Sequence, residues 1–298
     1  MRTILLTGAS GQVGWELQRQ LPHFYLVITP GRNQLDLSNP DSVRRFVREL
    51  RPDIILNPAA YTAVDKAESE TDLSMQVNGI APRILAEEAK QLDALLVHYS
   101  TDYVFDGNDP APYREDTPPN PQSIYGKTKL AGELAVQSTG CRHLILRTSW
   151  VYGIHGRNFI NTVLRLAKER DELRIVADQF GAPTWARLLA DATLQLLENP
   201  QIIARDTHLS GIYHLTAGGR TNWHQYAEEI LRLARQHDTQ LRNKTINIHP
   251  ISTEEYPLPA KRPKNSILST EKIRQAFGLS LPEWQDDLAT CLNQNFPY

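Results

Sequence analysis

The chain has 298 residues, enough for one large domain or two modest ones, and a core of that size needs no disulfide or metal to hold it. Thirty-two basic residues against 34 acidic ones give a net charge of −2, which argues against a chain built mainly to neutralise nucleic-acid phosphates. Apolar residues make up 41 % but no run reaches the ~20 of a membrane span, the first residues lack a signal-peptide pattern, and Cys141 and Cys291 are far apart, so a cytoplasmic protein is expected, with no membrane and no nucleic-acid partner.

The first third alternates short β-branched runs with helical patterns. Thr3–Thr7 reads as a buried strand, Gln12–Leu21 as a helix striped by Val13, Leu17 and Leu21, and Tyr25–Thr29 as a second strand. Pro40–Leu50 is a helix with proline in its first turn, where no N–H is needed. Asp53–Asn57 follows as a strand, Ala81–Leu92 as a helix, Leu95–Tyr99 as a strand, Ile124–Gln137 as a helix and His143–Thr148 as a fifth strand. Five strands separated by helices predict a doubly wound parallel α/β sheet covered on both faces, which suits continuous apolar runs. Residues 1–152 are read as this domain, and 153–298 mainly as a smaller second part, with about 208–236 returning to the first.

Beyond residue 150 the rhythm changes. Asn158–Glu169 and Ala186–Leu197 read as helices, Leu173–Val176 and Gly211–Thr216 as strands, and Thr221 is placed to cap a helix over Asn222–Gln236. From about Ile246 the tail is rich in proline and charge. Gly107–Gln122 holds five prolines and can be neither helix nor central strand; it reads as a functional loop or as a plain surface linker.

Three clusters carry chemistry. Gly8, Gly11 and Gly14 lie in the first strand-to-helix turn. Gly8 allows the sharp turn, Gly11 leaves room for a pyrophosphate, and Gly14 lets the helix approach, so the free N–H groups of the helix can bind an anion. After the second strand comes Arg32, with no carboxylate before Asp36, a pattern that favours NADPH over NADH. Tyr125 and Lys129 stand one helical turn apart, where a neighbouring ammonium favours tyrosinate and brings the phenol toward proton exchange near neutrality. Ser100, Thr101 and Asp102 directly follow the fourth strand on the same edge as the glycine turn. A hydroxyl there can hold a substrate carbonyl beside the phenol, and spacing does not choose between Ser100 and Thr101.

These features resemble the extended short-chain dehydrogenases/reductases, with their Rossmann-like sheet. The segments 8–18, 51–68, 98–107, 125–133, 147–153, 178–184 and 262–266 resemble, in order, the dTDP-4-dehydrorhamnose reductase family of dTDP-rhamnose biosynthesis. The resemblance implies reduction of the 4-keto group of dTDP-4-dehydro-L-rhamnose by NADPH, with NADH as an alternative cofactor. It implies that Gly11, Gln12 and Val13 meet the pyrophosphate, that Asp36 and Leu37 lie near the adenine, and that Ala60, Tyr61 and Thr62 border the cofactor. Thr101, Tyr125 and Lys129 match the catalytic trio, Asp102 and Trp150 match substrate contacts, and Arg262 matches a diphosphate contact. A homodimer is compatible with it.

Two rivals share parts of the pattern: an epimerase or dehydratase with tightly held NAD⁺, and a regulatory subunit of a partner enzyme. Some family members hold Mg²⁺ through glutamates. Glu16 matches one of them, but Arg187 falls where a second would be, so no functional metal is expected.

Overall fold

The computed structural model describes residues 1–21 and 25–295. Residues 22–24, and the last three residues of the expected second part, lie outside that description. Six strands form one parallel sheet: β1 (Thr3–Leu6), β2 (Leu26–Ile28), β3 (Ile54–Asn57), β4 (Leu95–Thr101), β5 (His143–Thr148) and β6 (Gly211–His214). Their order is β2-β1-β3-β4-β5-β6. Of the segment 208–236, Gly211–His214 joins the sheet as β6, pairing with β5 from Gly211 opposite Leu144 to His214 opposite Arg147, while the helix that follows packs elsewhere.

Alternate residues of each strand feed two cores. Ile4, Leu6, Ile54, Leu56, Val97 and Leu144 join Leu17 of α1 (Gln12–Gln20) on one face. Leu5, Ile55, Leu96 and Ile145 join α2 (Pro40–Leu50) and α3 (Ala81–Leu92) on the other. Burial on both faces is why these strands read as unbroken apolar runs. The fourth helix, α4 (Ile124–Thr139), starts at Ser123, whose side chain accepts from the Gly126 N–H, and ends at Gly140 in the left-handed region.

The rest of the chain builds a third core from α5 (Phe159–Glu169), α7 (Trp223–His237), α9 (Trp284–Asn295) and the strand Glu172–Val176, while α6 (Ala186–Glu198) packs mainly against the sheet. Glu172–Val176 pairs in parallel with Asn247–Ile251, a strand inside the proline-rich tail that the sequence reading left without structure. The tail also holds α8 (Glu271–Phe277) and α9, both unassigned above. Asn222, not Thr221, caps α7: its side chain accepts from the Gln225 N–H, and Thr221 sits in a short strand against Gly181. Among the described residues no helix is long and apolar enough to cross a membrane.

Candidate active site

The order in which strands are added to the sheet reverses between β1 and β3, with β2 on one side and β3 onward on the other, so their carboxyl ends flank a crevice, as in other open α/β sheets. A cleft of about 600 Å³ opens there, lined among others by Gly8, Ala9, Arg32, Asp36, Leu37, Ala60 and Tyr61. Gly8 has φ of +60°, and a Cβ on it would lie 2.8 Å from the Ala59 Cα. A Cβ on Gly14 would collide with the Gly8 carbonyl oxygen, so the first turn of α1 rests directly on the glycine turn. Gly11 caps α1 with no side-chain hydrogen bond and no carboxylate in the first turn. The N–H groups around Gln12 and Val13 therefore stay available to an anion, and the turn and cleft fit a dinucleotide.

The expected cofactor residues divide. Arg32 stands at the cleft with 79 % of its side chain exposed, 4.0 Å from the Asp36 carboxylate. Asp36 turns Oδ1 to the N–H and hydroxyl of Ser38, which holds its carboxyl below the usual range. Tyr61 is clamped by Asn78, whose amide accepts from its N–H at 2.8 Å and donates to its carbonyl at 3.1 Å. Asn78 sits in a π-helical turn, Gln76–Ile80, that sequence periodicity does not reveal. Thr62 is exposed and does not line the cleft. The Gln12 side chain reaches away to the Val151 carbonyl at 3.4 Å.

On the same edge, the two hydroxyls at the end of β4 part. Ser100 points beneath the sheet and donates to Glu133, which forms a buried ion pair with Arg147 at 2.7 Å. Thr101 instead lies on the Tyr125 side, where its hydroxyl lowers the phenol, and it accepts from the Tyr103 N–H. Geometry thus selects Thr101 as the partner of Tyr125.

The phenol does not follow expectation. Burial raises it to about 12, the Thr101 hydroxyl opposes this, and the Asp102 carboxylate adds to it. Lys129 is absent from these causes because its ammonium is turned to the floor, donating to the Tyr99 carbonyl at 2.6 Å and lying 3.3 Å from His98 Nε2. Burial pulls Lys129 itself down to about 8, against the pull of Glu133.

Asp102 is buried and bridged: Thr101 donates to Oδ1 and Ser266 to Oδ2. Burial pushes its carboxyl up to about 6. Tyr103, which sequence reasoning passed over, packs edge-on against Tyr125 at 5.5 Å, and its phenol faces Asp102, Arg262, Tyr125 and Asp65. Arg262 is held by Asp65 at 2.8 Å and by the Ala260 carbonyl at 3.0 Å. Trp150 is half-buried with φ of +47°, stacked on Trp223 at 3.6 Å and pressed against Gly181. The proline-rich segment is pinned rather than loose: Asn265 donates to the carbonyls of Asp109 and Ala111, and Tyr113 bridges to Leu268.

A divalent ion does not fit near Glu16. Arg187 donates to Asp191 at 3.0 and 3.1 Å, and its guanidinium lowers the buried Glu16 carboxyl that burial raises. A cation at the position of a second ligand repels Mg²⁺.

The whole arrangement has relatives. The family model described as the RmlD substrate binding domain matches residues 1–296. The dTDP-4-dehydrorhamnose reductase of Burkholderia thailandensis is 47 % identical over 290 residues, 97 % of each chain. A crystal structure of dTDP-4-dehydrorhamnose reductase from Bacillus anthracis in complex with NADP superposes with a TM-score of 0.90 at 38 % identity, covering 98 % of this chain and 99 % of that one. A reductase structure from Clostridium acetobutylicum gives 0.89 at 39 % identity, with coverage of 98 % and 99 %. Matched along almost its full length in sequence and in fold, this chain belongs to the dTDP-4-dehydrorhamnose reductase family.

Proposed function

We propose that the protein reduces the 4-keto group of dTDP-4-dehydro-L-rhamnose with NADPH, Tyr125 donating the proton. The observation that carries this is the convergence of buried Thr101, the Tyr125 phenol that it lowers and buried Lys129 one helical turn on, at the edge that also bears the glycine turn. The name and NADP complex of the Bacillus anthracis relative support it.

Gly8 and the first N–H groups of α1 hold the pyrophosphate, and Ala60, Tyr61 and Leu37 border the adenosine side. Arg32 meets a 2′-phosphate, since the Asp36 carboxylate is already bonded to Ser38. When bound, the nicotinamide supplies the hydride. Thr101 turns its hydroxyl hydrogen from Asp102 to the keto oxygen and places that oxygen against the phenol. With a phenol near 12, Tyr125 is protonated at neutrality and ready to act as the acid. As charge builds on the sugar oxygen, the Tyr125 proton passes to it, and the Lys129 ammonium, one turn along the helix, turns up from the floor to stabilise the tyrosinate left. Asp102 and Trp150 contact the sugar. The segment 153–298 forms most of the sugar-nucleotide wall, and Arg262 turns from Asp65 to the diphosphate.

The test is NADPH oxidation with freshly generated dTDP-4-dehydro-L-rhamnose, with UDP- and GDP-linked keto sugars beside it. Oxidation with the dTDP sugar is expected to be fastest. No oxidation, together with stable co-purification of a partner enzyme, overturns the reading in favour of a regulatory subunit. Turnover without added NADPH overturns it in favour of an epimerase or dehydratase.

A further inference from the structure

A buried polar chain runs beneath the site, and the mechanism above does not use it. Thr7 Oγ1 donates to Asn57 Oδ1 at 2.6 Å, Asn57 Nδ2 lies 3.0 Å from His98 Nδ1, and His98 Nε2 lies 3.3 Å from Lys129 Nζ. None of the four side chains is more than 2 % exposed. They come from the ends of β1 and β3, the middle of β4 and from α4, so the chain crosses the floor from the cofactor cleft, which Thr7 lines, to the lysine.

Hydrogen-bonding rules allow this chain two complete proton arrangements. An ammonium has only donors, so His98 Nε2 must accept from it. Nδ1 then carries the proton and donates to Asn57 Oδ1, with the amide turned over and its Nδ2 donating to Thr7. A neutral amine has one lone pair, so Nε2–H can donate to Nζ. Nδ1 then accepts from Asn57 Nδ2, and Thr7 donates to Oδ1. In either state Lys129 keeps a hydrogen for the Tyr99 carbonyl, and no buried group loses its partner. A valine or leucine in place of His98 offers neither arrangement.

We propose that His98 is a positioning residue that exchanges its ring proton between nitrogens as Lys129 loses and regains its charge, so that the lysine can change protonation state without leaving an unpaired polar group in the floor. The proposal rests on the reductase reading only for the reason Lys129 would need to cycle. The surrounding charges suit it. His98 is held neutral by burial and by Lys129, and Lys129 is drawn toward neutrality by burial. Facing the lysine are His98 and the Tyr99 carbonyl from β4, and Glu133 from its own helix. Glu133 is in turn neutralised by Arg147 of β5 and bonded by Ser100.

The test is nitrogen-15 NMR of histidine-labelled full-length protein, without substrate, from about pH 6 to about pH 10, spanning the titration of a buried lysine. The His98 ring is expected to pass from the Nδ1–H to the Nε2–H tautomer with a midpoint near 8, the value of Lys129. In Lys129→Met and in Lys129→Arg, which cannot lose its charge, the ring signals are expected to stay constant across that range. A ring of fixed tautomer in the wild type overturns the proposal. So does a doubly protonated ring, or a switch that persists in either variant; the wild-type titration decides even if one variant fails to fold. Because the measurement needs no turnover, it can fail while the reductase assay succeeds, and the reverse.

Discussion

The two sides of the site are built differently. The floor comes from the carboxyl ends of neighbouring parallel strands, where Thr7, Asn57, His98, Ser100 and Thr101 are set by registers such as Asn57 opposite His98 and Thr101 opposite Thr148. Its polar groups are buried and bonded to one another. The wall is made by contacts between distant segments: Asp65 with Arg262, Asp102 with Ser266, Trp150 with Trp223, and Asn265 with the loop at 109–111. Many wall groups, Arg262 and Trp150 among them, remain partly exposed. A floor of satisfied buried groups is rigid and costly to disturb, whereas a wall of partly exposed pairs can exchange a protein partner for a ligand. The proposed division, chemistry on the floor and recognition on the wall, fits that contrast.

Four substitutions sharpen or break the contrast. The largest effect is expected from Tyr125→Phe, which removes the proposed proton donor and should lower kcat by about 10²–10⁴-fold with NADPH binding kept. Wild-type turnover in that variant would remove Tyr125 from the chemistry. Glu133→Gln leaves Arg147 charged beneath the sheet and should cost about 3–5 kcal/mol of stability, read by urea unfolding. A loss as small as that of a surface pair would mean the floor is not tightly packed.

Asp102 lies where floor and wall meet. Its folded carboxyl, near 6, is raised above the unfolded value, so the native state binds the extra proton and stability falls as pH rises from about 4 through 6. Asp102→Asn should therefore be more stable than wild type at pH 8, by about 3 kcal/mol or less, with the gain gone by about pH 4. A gain independent of pH would place the cost elsewhere than in the carboxylate. The smallest effect is expected at the exposed cleft rim: Arg32→Ala should reduce the preference for NADPH over NADH by about five-fold, measured as the ratio of kcat/KM values. An unchanged ratio would take Arg32 out of cofactor selection.

What could be read in advance follows the same division. Thr3–Leu6, Ile54–Asn57 and His143–Thr148 were visible because a strand buried on both faces must be apolar throughout. The helix at 271–277 and the strand at 247–251 were hidden by prolines and charges whose partners lie 60 residues or more away, such as Glu172–Val176 and Ile212. The segment 64–80 was missed because its helical pieces are four or five residues long and end in a π-turn, too short for a periodic signal.

By itself the sequence determined the parallel sheet, the glycine turn and the spacing of Tyr125 and Lys129, because each depends on residues a few positions apart and on a repeating pattern of burial. Only the tertiary structure decided that Thr101 rather than Ser100 meets the phenol, that Lys129 turns down to His98, and that Asp65 holds Arg262. Those choices depend on which side chains the fold brings within hydrogen-bond reach and which it deprives of water, and neither is encoded in local spacing.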